Sequence, residues 1–223
     1  MSEIKLPVWT GELGWEVMSW VPYCRKLAEG NDKVIVSSFA GMEDLYSDFA
    51  TEFIPNELEK RTLDYPKMYR VKGKYFKYGI AATGFDILIH ARGISRKSSI
   101  NYRYWDKLVE MLKPYRVAFI GSMDDISFPG WPDLRGKCLQ HIMNYMRGCK
   151  VVVGVSSGIM HLASACGANQ VVWGDGRTYF GETLEKRYKE TWNPFKTKVG
   201  WITDENWQPS PESIYKQIQE LIS

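Results

Sequence analysis

Short runs of apolar residues alternate along this chain with stretches in which apolar residues recur at helical spacing. Val151–Val153 and Val171–Trp173 have the composition of strands buried on both faces, and a helical pattern from Ile159 to Ala165 separates them. Repeated strand–helix–strand units of this length predict a parallel sheet with helices on both faces. The sequence therefore predicts an α/β protein built from Rossmann-like units.

The same alternation extends over the whole chain and suggests two domains, residues 1–84 and residues 85–223. The expected strands are Ile4–Trp9, Val34–Val36, Phe53–Ile54, Ile87–Ile89, Arg116–Ile120, Val151–Val153 and Val171–Trp173. The expected helices are Val17–Leu27, Met42–Ala50, Tyr104–Leu112, Leu139–Arg147, Ile159–Ala165 and Pro211–Ile222. Proline at the start of the last helix fits a position where no backbone amide proton is needed.

Composition excludes several classes of protein. With 223 residues, 14% of them aromatic and a net charge of only +3, the chain is expected to fold rather than stay disordered. No apolar run approaches the 18 or so residues that span a bilayer, so membrane insertion is not expected. The first residues lack a signal-peptide pattern, and the four cysteines and three histidines form no metal-binding motif. We therefore expect a cytoplasmic protein without a metal site.

Positive charge is concentrated between Lys60 and Lys107, where twelve basic residues face three acidic ones. Such a field suits an anionic partner, for example a nucleotide, a phospho-sugar or a nucleic acid. Within this stretch Tyr65–Tyr78 mixes lysines with aromatic residues, which is typical of surfaces that track phosphates and stack on bases. The residues that would contact a nucleic-acid acceptor are Lys72, Lys74, Tyr75 and Lys77. A basic loop over the core is the alternative.

A Ser/Gly turn follows the Val151–Val153 strand and opens the next helix. Its residues are Gly154-Val155-Ser156-Ser157-Gly158, with His161 one turn into the helix. Free amide groups at a helix start bind phosphate, and small residues let a ligand approach the backbone. Ser156, Ser157, Gly158 and His161 are therefore candidate ligands of an anion. A capped helix with a packed histidine explains the same residues.

A second turn, Thr10 to Glu16, joins the first strand to the first helix and carries Gly11 and Gly14. Open α/β sheets bind ligands at the carboxyl ends of their strands. Glu12 or Glu16 at this position could act as a general base toward a hydroxyl group. Both carboxylates would also favour the positive end of the helix. The sequence does not separate the two glutamates.

Two further loops follow strands and carry cations. The first begins at His90 and offers the candidate diphosphate ligands Arg92, Arg96, Lys97 and Ser98. The second begins at Gly174 and carries Arg177, which could reach an anion or pair with Asp175. A solvated basic loop is the alternative for the first of them.

Taken together, these loops resemble those of glycosyltransferase family 9, the lipopolysaccharide heptosyltransferases. The resemblance covers Asp86 to Trp192 and, in the first half of the chain, only the Gly11-Glu12 loop. The stretches that carry it are Asp133–Lys137, Gly154–Ala165, Trp173-Gly174 and Trp192-Asn193-Pro194. The family has Asp where this chain has Ser156, and its members commonly have a longer N-terminal domain.

The resemblance implies a GT-B-like fold, two small Rossmann-like parallel-sheet domains with a cleft between them. It also implies inverting, metal-independent sugar transfer, with a nucleotide-sugar as co-substrate and no other cofactor. Carried onto this chain, the resemblance implies that Glu12 is the catalytic base and that Arg96 or Lys97 binds the donor phosphates. It also implies that Ser156 to His161 line the donor site.

The acceptor is a hydroxyl group, and a hydroxylated base in DNA is one hypothesis. Two other activities fit the same fold. A nucleotide-sugar isomerase or epimerase would need no acceptor, and a non-catalytic nucleotide- or nucleic-acid-binding module would keep the fold without the reaction.

Overall fold

A computed structural model describes residues 2–62, 73–93, 101–179 and 181–223. The chain divides into two compact units, Met1–Phe76 and Lys77–Ser223. Residues 77–84, which the sequence-based division places in the first domain, hydrogen-bond to the second unit. The Tyr78 N–H donates to the Ala165 carbonyl at 3.2 Å, and the Ala82 N–H donates to the Asn144 carbonyl at 3.1 Å. In the described part of the chain, no helix has the length and apolarity required to cross a membrane.

The first unit contains a three-stranded parallel sheet in the order β1-β2-β3. Its strands are β1 (Glu3–Lys5), β2 (Lys33–Ser38) and β3 (Glu52–Pro55). A helix in three consecutive segments connects β1 to β2: α1 (Leu13–Trp15), a π-helical turn (Glu16–Trp20) and α2 (Val21–Ala28). Ile4 pairs with Val34 across the β1-β2 ladder.

The helix predicted for Met42–Ala50 is wrong, because only a short 3-10 turn (Glu43–Leu45) forms there. The Tyr46 and Phe49 N–H groups donate to the carbonyls three residues earlier, of Glu43 and Tyr46, so tight turns form where an α-helix was expected. The strand predicted for Ile4–Trp9 is also shorter than expected.

The second unit contains a five-stranded parallel sheet flanked by helices. Its elements are β4 (Ile87–His90), α3 (Trp105–Met111), β5 (Val117–Phe119), α4 (Leu139–Gly148), β6 (Val151–Val155), α5 (Gly158–Cys166), β7 (Gln170–Gly174), β8 (Thr178–Tyr179), β9 (Glu182–Thr183), α6 (Leu184–Lys186), a π-helical turn (Arg187–Thr191), β10 (Val199–Thr203) and α7 (Pro211–Ile222). Strands β8 and β9 form a separate antiparallel pair.

Strand order in the large sheet is β10-β7-β6-β4-β5. Since β4 lies between β5 and β6, the chain leaves β4 toward one side of the sheet and returns on its other side. Doubly wound sheets bind ligands at this switch point, beyond the carboxyl ends of the two diverging strands. The topology therefore predicts a ligand site at the residues that end β4 and follow β6.

One ion pair near the start of β4 ties the stability of this unit to pH. The Asp86 carboxylate accepts hydrogen bonds from Nε and Nη2 of Arg116 at 3.0 and 3.1 Å. Hydrogen bonding from the Arg116 side chain lowers the pKa of Asp86 from its ordinary 3.8 to about 2. Because the pKa is depressed in the folded state, the stabilisation is present above about pH 4 and is lost as the pH falls toward about 2.

We therefore expect Asp86→Asn to lower the Tm at neutral pH. The difference from wild type should shrink as the pH falls from about 4 to about 2. Thermal unfolding over this pH range checks the prediction, with exposed Asp124→Asn as control. A difference that is the same at every pH would contradict it.

Candidate active site

His90 and Ser157 meet across the switch point of the large sheet. His90 ends β4, and Ser157 is the residue that precedes α5 after β6. The Ser157 hydroxyl lies 3.0 Å from Nδ1 of His90, and Nε2 of His90 lies 3.4 Å from Oδ2 of Asp125. The imidazole is 4% exposed, so these two groups are its principal polar neighbours among the described residues.

Asp125 lies in the loop after β5 and was not predicted from the sequence. Burial on its own would raise the pKa of this carboxyl. The hydrogen bond from His90 and the backbone N–H groups of Gly93 and Ser122 outweigh burial and hold the pKa well below its usual range. Asp125 is therefore an ionised group that organises the loops around His90.

The start of α5 is packed against Tyr188, another residue that sequence reasoning missed. Its hydroxyl accepts a hydrogen bond from the Ser157 N–H at 3.2 Å and lies 3.2 Å from the Ser156 hydroxyl. Its ring stacks on His161, with centroids 4.9 Å apart. Ser156, Ser157 and His161 thus all lie beside Tyr188, which already occupies one amide group of the helix start.

His161 is held as a neutral imidazole. Burial, with a smaller contribution from the charge of Arg187, lowers the pKa of His161 to about 3. Its Nδ1 is buried and has no hydrogen-bond partner among the described residues. Trp192 packs edge-on against the ring at a centroid distance of 4.5 Å, so the first residue of the Trp192-Asn193-Pro194 segment covers one side of this histidine.

Small residues and cations surround this centre. A Cβ at Gly154 would approach Sδ of Met160 to 3.0 Å, which explains a glycine where β6 meets His90. Arg92 is half-buried beside Asp125, and burial lowers its pKa. The candidate ligands Arg96, Lys97 and Ser98 lie outside the described residues, so their roles stay predictions.

In the loop that begins at Gly174, the sequence left open whether Arg177 reaches an anion or pairs with Asp175. Nε of Arg177 donates to the Asp175 carboxylate at 2.6 Å, so Arg177 pairs with its neighbour while remaining largely exposed. Asp175 is 2% exposed. A Cβ at Gly174 would meet the Trp201 ring at 3.0 Å, which makes this glycine a packing position at the end of β7.

In the first unit, Glu12 lies immediately before α1 with extended backbone (φ −70°, ψ 149°) and is half-buried. Its side chain does not cap the helix. Gly11 permits the close approach of Trp9, whose ring would lie 2.6 Å from a Cβ at this position. Gly14 lies within α1. Glu12 is therefore a carboxylate at the end of the loop between β1 and α1, and helix capping does not require it.

Glu16 has a different environment. Its side chain is 0% exposed, and the hydroxyl groups of Ser38 and Tyr46 both donate to Oε1. Oε2 accepts from Nη1 of Arg61 at 2.7 Å, and the same nitrogen donates to the Gly11 carbonyl at 2.9 Å. These contacts indicate that Glu16 holds the Gly11–Glu12 turn in place, which favours Glu12 over Glu16 as the candidate base.

The described candidate acceptor residues each contact a different partner. The Lys74 ammonium lies 3.1 Å from Glu29, and the half-buried Tyr75 donates its hydroxyl to the Met18 carbonyl at 2.9 Å. The Lys77 ammonium lies over the Phe195 ring in the second unit. Lys72 lies outside the described residues.

Comparison with solved structures identifies the architecture. The ADP-heptose lipopolysaccharide heptosyltransferase II of E. coli matches with a TM-score of 0.65 at 13% identity, over 100% of this chain and 98% of that chain. TibC, an iron-containing dodecameric glycosyltransferase of enterotoxigenic E. coli, matches with a TM-score of 0.64 at 14% identity, over 98% of this chain and 75% of that chain. The chain has the heptosyltransferase fold.

A TibC structure in complex with ADP-D-β-D-heptose gives the same result, with a TM-score of 0.62 at 13% identity. It covers 98% of this chain and 76% of that chain. These matches confirm the predicted α/β class and the resemblance to the heptosyltransferases at the level of fold. No family model matches the sequence, and no curated protein matches it.

Within the described residues, no group of three or more His, Cys, Asp or Glu side chains is placed to hold a metal ion.

The two site residues missed from sequence, Asp125 and Tyr188, carry different signals. Asp125 follows strand β5 by six residues and belongs to a Ser-x-x-Asp turn, so the strand-end rule used for other loops would have found it. Tyr188 lies in a π-helical turn and has no local motif.

Proposed function

We propose that this protein transfers a sugar from a nucleotide-sugar donor to a hydroxyl acceptor. The observation that carries the proposal is the junction of β4, β6 and α5, where His90, Ser157 and the start of a nine-residue helix meet at the switch point of the sheet. The heptosyltransferase fold supports the same activity, since its solved representatives are sugar transferases.

The second unit is the donor-binding unit in this proposal. The first N–H groups of an α-helix have no partner within the helix, and the helix dipole favours negative charge there. Tyr188 takes the Ser157 N–H, which leaves the next amide groups, those of Gly158 and Ile159, for a diphosphate. Arg92 adds positive charge from the end of β4, and Arg96 and Lys97 follow it in sequence.

The proposed reaction is a single displacement with inversion. Glu12 accepts the proton of the acceptor hydroxyl. At the same time the oxygen of that hydroxyl forms a bond to the anomeric carbon of the donor sugar. The bond from that carbon to the phosphate oxygen breaks, and the nucleoside diphosphate leaves with its electron pair. Positive charge and amide groups stabilise the negative charge that develops on this leaving group, so the reaction needs no metal ion.

The acceptor proposal remains the one made from sequence, a hydroxyl group that a nucleic acid could carry. The described lysines give it limited support, because Lys74 pairs with Glu29 and Lys77 packs on Phe195. DNA containing a hydroxymethylated base is therefore one arm of an acceptor screen that also includes sugar acceptors.

A ligand panel tests the proposal directly. We expect one or more of ADP-glucose, GDP-mannose, UDP-glucose, dTDP-glucose and ADP-D-β-D-heptose to raise the thermal stability of the wild-type protein. A ligand present at about 100 times its Kd stabilises the folded state by about 2.7 kcal/mol, which gives a clear shift. The matching free sugars are controls that lack the diphosphate.

Product analysis with the best donor then separates the activities. Release of nucleoside diphosphate that depends on an acceptor supports transfer. Conversion of the donor into an isomeric nucleotide-sugar without acceptor would replace transfer by isomerisation. Binding with no turnover on any acceptor favours the non-catalytic module, and a flat response to the whole panel would overturn the proposal.

A further inference from the structure

Asp125, His90 and Ser157 form a continuous chain of polar contacts that the proposed reaction does not use. Oδ2 of Asp125 lies 3.4 Å from Nε2 of His90, and Nδ1 on the other side of the ring lies 3.0 Å from the Ser157 hydroxyl. Asp125 lies in the loop after β5, His90 is the last residue of β4, and Ser157 lies in the turn after β6. The chain ends at the half-exposed Ser157, at the start of α5.

The Asp125 carboxylate is fixed in its orientation by groups other than His90. Oδ1 accepts the Gly93 N–H at 2.9 Å, and Oδ2 accepts the N–H and the hydroxyl of Ser122 at 2.7 and 3.0 Å. An aspartate that receives this many donors stays ionised and offers His90 only acceptor oxygens.

We propose that Asp125 is a positioning residue that keeps hydrogen on Nε2 of His90, so that Nδ1 accepts the hydrogen of the Ser157 hydroxyl and the Ser157 oxygen faces the ligand as an acceptor. A carboxylate beside one ring nitrogen selects the tautomer with hydrogen on that nitrogen, and the other nitrogen becomes an acceptor. This inference rests on the proposed function for the identity of the ligand, but its tautomer statement stands on geometry alone.

Ser157 is then unable to donate any hydrogen bond to a ligand. Its N–H donates to the Tyr188 hydroxyl, and with hydrogen on Nε2 of His90 its own hydroxyl donates to Nδ1, 3.0 Å away. A diphosphate oxygen can only accept, so it gains nothing from the Ser157 side chain. A hydroxyl group of the donor, on its ribose or on its sugar, can donate to the Ser157 oxygen. Ser157 is thus a specificity residue for a donor hydroxyl rather than a phosphate ligand.

The first experiment reads the tautomer directly. Nitrogen-15 spectra of His90, recorded at about pH 8 where an ordinary imidazole is neutral, should show hydrogen on Nε2 in the wild type. In Asp125→Ala the acceptor is gone, and a fraction of His90 should carry hydrogen on Nδ1. Hydrogen on Nδ1 in the wild type would overturn the proposal, and so would a spectrum that Asp125→Ala leaves unchanged.

The second experiment compares two ligands in variants that keep Asp125. Ser157→Ala should weaken binding of the strongest nucleotide-sugar of the panel about 3- to 10-fold, the range for one hydrogen bond, and leave binding of inorganic pyrophosphate unchanged. Ser223→Ala is the matched control, because this exposed serine follows α7 and its hydroxyl donates to the Glu220 carbonyl.

The two ligands also separate this inference from the proposed function. If Ser157→Ala weakens both ligands equally, Ser157 acts on the phosphates and the specificity role is wrong. If neither ligand binds the wild type while the Nε2 tautomer is observed, the positioning role of Asp125 holds and the donor-binding proposal fails.

Discussion

Glu12→Gln is expected to reduce kcat for sugar transfer by about 10²- to 10⁴-fold, the usual contribution of a general base. The amide has the size of the carboxylate but accepts no proton from the acceptor hydroxyl. The Glu12 side chain does not cap α1, so the change removes no cap from this helix. Steady-state assays with the best donor and acceptor measure the loss, and a thermal shift with the donor should match wild type.

A control variant and two alternative outcomes make this result interpretable. Glu43→Gln removes an exposed carboxylate from the same unit and should leave turnover unchanged. A variant at Glu12 that binds donor normally and turns over at the wild-type rate would exclude Glu12 as the base. Loss of donor binding together with turnover would instead assign Glu12 to the donor site.

Glu16→Ala is expected to destabilise the first unit by about 3–5 kcal/mol, the range for removing one partner of a buried ion pair. Glu16 is fully buried and accepts from Arg61, Ser38 and Tyr46, so its removal leaves three donors without their acceptor. Urea denaturation followed by tryptophan fluorescence measures the free energy of unfolding, because Trp9 and Trp20 are both buried in this unit.

The exposed Glu43→Ala is the matched control and should change the free energy of unfolding by no more than about 0.5 kcal/mol. A Glu16→Ala protein as stable as this control would show that the buried pair contributes little. Arg61→Ala removes the other partner of the same ion pair. It also removes the hydrogen bond from Arg61 to the Gly11 carbonyl.

The elements that sequence predicted well are those with strong local patterns. Helix α7 begins and ends at the predicted residues, because Pro211 marks its start and its apolar residues follow helical spacing. Strands β6 and β7 were found because central parallel strands are apolar on both faces. Strand β10 was missed, since Gly200 interrupts its apolar run and polar residues surround it.

In the candidate site, too, sequence predicted the features that have a local pattern and missed those that depend on contacts between distant parts of the chain. Sequence located the turns that carry Glu12 and Ser157 because each lies between a strand and a helix, and it placed His90 in a loop although His90 is the last residue of β4. It could not distinguish Glu12 from Glu16, which depends on Arg61 reaching back over some fifty residues of chain. It also missed Asp125 and Tyr188, whose contacts with His90 and Ser157 exist only once the sheet has formed.

The parallel ladders described above have a consequence for how the chain reaches its native state. A parallel pair cannot close as a hairpin, so each of these ladders joins residues far apart in sequence. Ile87 cannot pair with Val151 until the residues between them, which include β5 and α4, have been synthesised. In the same way, Gln170 cannot pair with Val199 until the residues between them have been synthesised. High contact order of this kind slows folding. The first unit closes its ladders by Pro55, so during synthesis it can fold before the second unit is complete.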